Sequence, residues 1–217
     1  MNLFELAIYV SILSKLLPIV GVLAGKDRSN TMMVLLILSS VSILSDVLNN
    51  IYLKSGHHGA LINNIHFAIS FALLSLLYVY MIPKLRMAAI ILCLIYGLMA
   101  WIISAWWQSI DSSQSILKIY GALAVMVYCI AFFSYYAKEL PAGKPLYTYQ
   151  LYITIAYFLS YGLGIILFIW TSDFTGYRII SKPMPVSTLY ALLEFIKNFI
   201  LFVGIRRANK RARSAML

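Results

Sequence analysis

The sequence predicts an all-α membrane protein: a bundle of seven transmembrane helices, with the N-terminus outside and the C-terminus in the cytoplasm. Three observations carry that expectation. Hydrophobic residues make up 62% of the 217 and charged residues only 11%, whereas a soluble domain carries about 25% charged residues. The apolar residues fall into seven stretches of about the 20 residues a helix needs to cross roughly 30 Å of hydrocarbon. Lysine and arginine are distributed very unequally between alternate connections.

Taken in order, the expected spans are Leu3–Ala24, Thr31–Leu53, Ala60–Ile82, Met87–Trp107, Ser115–Ala137, Tyr147–Thr171 and Val186–Ile205. They form one domain over residues 1–205, followed by a basic tail over 206–217. The first span has no positively charged residues ahead of it, so it reads as a retained helix rather than a cleaved signal. Polar turns separate spans one to three: Lys26 to Asn30, then Lys54 to Gly59 with His57 and His58. Pro83 ends the third span, Asp111-Ser112-Ser113 the fourth, and Lys138 to Pro145 the fifth. The longest connection, Ser172 to Pro185, finishes in two prolines that suit entry into a helix.

Charge sets the orientation. Eleven of the 17 basic residues fall on one side: Lys26, Arg28, Lys84, Arg86, Lys138, Lys144, Arg206, Arg207, Lys210, Arg211 and Arg213. Lys54, Arg178 and Lys182 fall on the other, and Lys15, Lys118 and Lys197 lie within spans. The richer side is cytoplasmic by the positive-inside rule. Trp101, Trp106, Trp107 and Trp170 then lie near the outer interface, where an aromatic belt belongs. The expected location is a cell membrane, bacterial inner or plasma.

The net charge of +10 implies contact between the tail and anionic lipid rather than nucleic acid, because no basic stripe is interleaved with exposed aromatics. Cys93 and Cys129 lie in apolar runs and read as small core residues. No HExxH, CxxC, Walker or GxGxxG pattern occurs, so neither a metal nor a cofactor is expected. The expected partners are the bilayer and a small solute or lipid, with a homo-oligomer left open.

Ionisable groups inside a span cost about 2.5–3.5 kcal/mol on insertion scales, so each calls for a partner or a purpose. Ser39, Ser42, Asp46 and Asn49 share one face of the second helix, with Asn50 at its border. Asn63, His66 and Ser70 share a face of the third, and Ser187, Tyr190, Glu194 and Lys197 a face of the seventh. Asp46 and His66 each lie about 9 Å below the outer end of their helices, Glu194 about 12 Å and Lys197 about 16 Å. The expectation is a polar site in the outer half of the bundle, made by Asp46, Asn49, Asn63, His66, Tyr190, Glu194 and Lys197. Asp46 and His66 should meet directly or through one water. Lys15 and Lys118 read as snorkelling side chains. Tyr157 and Tyr161, on one face with Gly164, read as packing aromatics with a hydroxyl tip.

Seven spans with Lys197 near the middle of the last resemble the microbial rhodopsins, which would make Lys197 the attachment point of retinal. The third helix offers no carboxylate as counter-ion, however, and the sixth no internal tryptophan. Asp46 late in one helix and His66 in the next resemble lysoplasmalogenase-like membrane enzymes, with Ser45 where that pattern has glycine. In length and topology the chain is similar to SWEET transporters and KDEL receptors, but it lacks their proline-glutamine pair. The functional expectation is a small-solute transporter or a membrane-embedded ligand sensor. The alternative is a lipid-active hydrolase with Asp46 and His66 as acid–base pair, and a minor one is a retinal protein through Lys197.

Overall fold

A computed structural model describes residues 3–25, 27–55, 59–106, 114–138, 148–171 and 183–214. Lys26, His57, His58, Trp107, Asp111, Lys144, Arg178 and Lys182 lie outside the described residues, as do the side chains of Trp170, Ser187, Lys210, Arg211 and Arg213. The described chain is helical: α1 Leu3–Ser14, α2 Leu16–Leu23, α3 Asn30–Lys54, α4 Ala60–Met81, a 3₁₀ turn Pro83–Leu85, α5 Arg86–Trp106, α6 Ser115–Lys138, α7 Thr148–Thr171 and α8 Pro183–Ser214. Six of these, α3 to α8, are long and apolar enough to cross a membrane, and a shorter apolar stretch covers Tyr9–Leu23.

The first expected span is two helices rather than one, and Pro18 supplies the reason. Proline has no amide hydrogen for the Ser14 carbonyl, and its ring crowds that carbonyl. The chain tightens just before it, where the Lys15 amide donates to the Ile12 carbonyl at 3.2 Å, one residue short of α-helical register. The Ser14 hydroxyl donates to the Ser11 carbonyl at 2.6 Å. Lys15 thus sits at a break inside an otherwise apolar segment.

Local chemistry also sets the other ends. The Ser29 amide donates to Asp27 Oδ1 at 2.9 Å, turning the chain into α3. Pro83 cannot continue α4; Ile82 extends at φ −137°, and the 3₁₀ turn redirects the chain into α5.

Helix neighbours form a closed ring. α3 lies between α2 and α4, α6 between α4 and α7, and α8 between α7 and the α1–α2 pair. α5 leans on α4 and α6 from outside. Its outward face carries Met87, Leu94, Trp101 and Trp106, all more than half exposed, as lipid contact requires.

The core between α4, α6 and α7 is polar as well as aromatic. Tyr78 and Tyr128 stack with ring centroids 5.4 Å apart. The Tyr78 hydroxyl lies 3.1 Å from Cys129 Sγ, and the Tyr128 hydroxyl donates to Ser75 Oγ at 3.2 Å. Both tyrosines therefore bury a ring without stranding an oxygen. Both cysteines are free, and Cys129 is buried.

The end where α2, α4, α6 and α8 finish is the basic one. Lys84 Nζ lies 5.7 Å over the Tyr135 ring, and the Arg207 guanidinium 4.9 Å over Tyr152. Close approach of backbones shapes this end. A Cβ on Gly204 would fall 2.7 Å from Tyr152 Cβ, so α7 and α8 meet where only glycine fits. Asn209 Nδ2 donates to the Gly21 carbonyl at 2.9 Å, tying α8 to α2.

Candidate functional site

The opposite half of the ring encloses a cavity of about 880 Å³, lined from α1, α3, α4, α6, α7, α8 and the break at Lys15. Among the described residues none from α5 reaches it. Leu38, Leu74 and Leu201 close it toward the basic end, each deeper on its helix than the polar groups and each buried.

Helical periodicity gathers the polar groups. Asp46, Asn49, Asn63, His66, Tyr190, Glu194 and Lys197 all line this cavity, as do Ser39, Ser42 and Ser70 from the same faces. Residues three or four apart on a helix share a face, so each stripe turns inward as a unit.

Two ion pairs dominate the electrostatics. Lys15 Nζ donates to Asp46 Oδ2 at 2.7 Å, joining the break in the first segment to α3. Lys197 Nζ donates to both oxygens of Glu194, at 2.6 and 2.7 Å, along one turn of α8. Asn198 holds the frame beside them, its Nδ2 donating to Ser14 Oγ at 2.9 Å next to the break. Among the described residues His66 Nε2 and Asn49 Oδ1 are enclosed and have no hydrogen-bond partner.

One expectation needs correction. Lys15 does not snorkel: it is 8% exposed and bound to Asp46. An intramembrane ammonium with a carboxylate within reach gains more from that charge than from stretching toward a distant interface. Asp46 and His66 share the cavity with no direct hydrogen bond between them, Asp46 being engaged by Lys15. A carboxylate held by an ammonium is a weaker base toward a neighbouring imidazole than a free one.

Sequence reasoning also undervalued the aromatic wall. Tyr157, Tyr161 and Gly164 line the cavity, and Phe67 meets the Tyr161 ring edge-on at 6.4 Å. Lys118, from the start of α6, lines it too. A usable signal was present for Lys15, which lies four residues after Ser11 on one face and three before Pro18, so that a charge and a helix breaker coincide. Among the described residues no three His, Cys, Asp or Glu side chains gather where they could hold a metal ion.

The fold and its six apolar helices define a multi-pass helical protein of membrane type. Compared with protein-family models, with curated proteins and with solved structures, the chain matches none.

Proposed function

We propose that this protein is a small-solute transporter of seven spans, its N-terminus and cavity mouth outside and its basic end in the cytoplasm. The observation that carries this reading is the break in the first segment. A discontinuous helix whose broken point carries a charge facing a polar cavity is a recurring design of secondary transporters, in which irregular backbone is tolerated where it lines a solute path. Here the charge is Lys15, and it bridges to a different helix through Asp46. Such a bond can open and re-form as the two elements move, which an intrahelical pair cannot report.

The test is uptake into proteoliposomes of a solute first selected by thermal stabilisation of the purified protein. Pro18→Ala restores the missing backbone donor and should straighten the break. Transport is expected to fall about tenfold or more, a barrier change near 1.4 kcal/mol, while binding persists. Undiminished uptake in Pro18→Ala would remove the support for this reading. Binding without any uptake would make the protein a sensor instead.

The orientation has its own check. Reporter fusions after Lys26, Lys84, Lys144 and Arg213 are expected in the cytoplasm, and fusions near His57, Ser112 and Asp173 outside. A C-terminal reporter on the exterior would reverse the assignment.

A further inference from the structure

We infer that the cavity takes an organic anion: an acid group, carboxylate or phosphate, on an apolar body, with the acid held between Lys15, Lys197 and His66. The inference rests on the cavity being the solute site and adds the class of solute.

Charge points first in this direction. Two ammonium groups, Lys15 and Lys197, line this one cavity, each beside a single carboxylate. In a pocket walled by apolar helices their charge is screened far less than in water.

Donor capacity points the same way. A lysine ammonium has three hydrogens to give. Lys15 uses one, on Asp46 Oδ2, and Lys197 uses two, both on Glu194. Each ammonium therefore keeps at least one donor while its own ion pair stays intact. Among the described residues His66 Nε2 is enclosed without a partner, and a neutral imidazole can carry its proton on that nitrogen. Leaving such an atom unsatisfied is unfavourable, and an acid oxygen accepting from it would remove that cost. The spare hydrogens of Lys15 and Lys197 and the Nε2 of His66 belong to residues that line this one cavity beside the unpartnered acceptor Asn49 Oδ1, and an anion is a ligand able to accept from all three donors.

The walls argue that the anion is organic. Phe67, Tyr157 and Tyr161 present rings, and Leu74 and Leu201 close the deep end. A volume of about 880 Å³ falls in the range of sites for small organic ligands, and an inorganic ion would leave most of it unfilled.

The experiment compares three probes of one shape, 3-phenylpropanoate, 3-phenylpropylammonium and 3-phenylpropanol, on the full chain in phosphatidylcholine nanodiscs. At about a hundredfold excess over its Kd the carboxylate is expected to raise Tm by about 5 °C or more. The amine and the alcohol should give no comparable shift. His66→Leu should weaken carboxylate binding at least fivefold, and His66→Gln, which keeps a donor near the same place, should recover part of it. The three-probe comparison needs only the wild-type chain, so it stands if a variant fails to fold.

Nanodiscs containing phosphatidylglycerol distinguish the sources of the acid group. If that lipid stabilises the protein and abolishes the carboxylate's shift, a lipid headgroup supplies the anion. If the shift persists, the anion is a free solute. No shift from 3-phenylpropanoate, or an equal shift from either other probe, overturns the inference. Uptake separates it from the transporter reading. A carboxylate that binds but is not moved defeats transport alone, and an amine that binds and is moved defeats the anion alone.

Discussion

Lys15→Met is expected to destabilise the protein by about 3 kcal/mol, and Lys15→Met combined with Asp46→Leu to recover most of that loss. The single change keeps a side chain of similar length but strands a carboxylate whose recorded hydrogen bond comes from Lys15. Removing one member of a buried pair costs about 3–5 kcal/mol, because the remaining charge keeps its desolvation penalty without its compensation. The lower end applies here, since the Asp46 side chain retains 30% of its exposure at the cavity. Replacing both members by apolar residues removes the penalty as well as the attraction and is often close to neutral. Denaturation of the two single variants and the double variant in one detergent gives the coupling directly. If Lys15→Met and Asp46→Leu add without coupling, the bond between them contributes nothing. Uptake should respond differently: the double variant should fold yet transport poorly, because the bridge between the broken segment and α3 is gone.

How far this site could be read in the sequence depends on which direction of space is asked about. Position around a helix axis was legible. Asp46 with Asn49, His66 with Asn63, and Glu194 with Lys197 fall three residues apart, and that spacing alone turns each set to one face. All of them line the cavity. The Glu194–Lys197 pair was legible for the same reason, since both members belong to one turn.

The choice between neighbouring helices was not legible. α3 lies between the first segment and α4, so Asp46 had two candidates at similar depth, a full positive charge and a neutral ring. Depth and periodicity do not rank them. Coulombic attraction in a weakly screened interior does, and it favours the ammonium. The break that delivers Lys15 was written in Pro18, but a proline in a membrane helix signals a kink without saying what the kink presents. The position of α5 outside the ring was also hidden. Its residues are almost all apolar, and that composition does not say whether a helix lines the ring or leans on it from outside.

Gly204→Val is expected to cost about 3 kcal/mol, with Gly97→Val as its control at near zero. Both glycines lie inside apolar helices, α8 and α5, so sequence alone gives them the same standing. Their surroundings differ. A Cβ on Gly204 would come within 2.7 Å of Tyr152 Cβ and 3.4 Å of the Tyr149 carbonyl oxygen, whereas a Cβ on Gly97 would meet nothing within 4 Å. Tyr152 Cβ is fixed to its backbone and cannot rotate aside, so α7 and α8 would have to separate. Overpacking of this kind costs about 1–3 kcal/mol, and the two γ-methyls of valine place the change at the upper end. Separation would also move the Tyr152 ring from the Arg207 guanidinium, now 4.9 Å away. Small residues permit close helix approach where lipid gives no hydrophobic drive to association, so the loss falls on packing itself. At Gly97 the new side chain enters lipid, where valine is as acceptable as its neighbours. Thermal unfolding of both variants beside the wild type makes the comparison. An equal loss at the two positions would mean that the cost comes from losing a glycine in a helix, and that the α7–α8 contact is not what holds the basic end together.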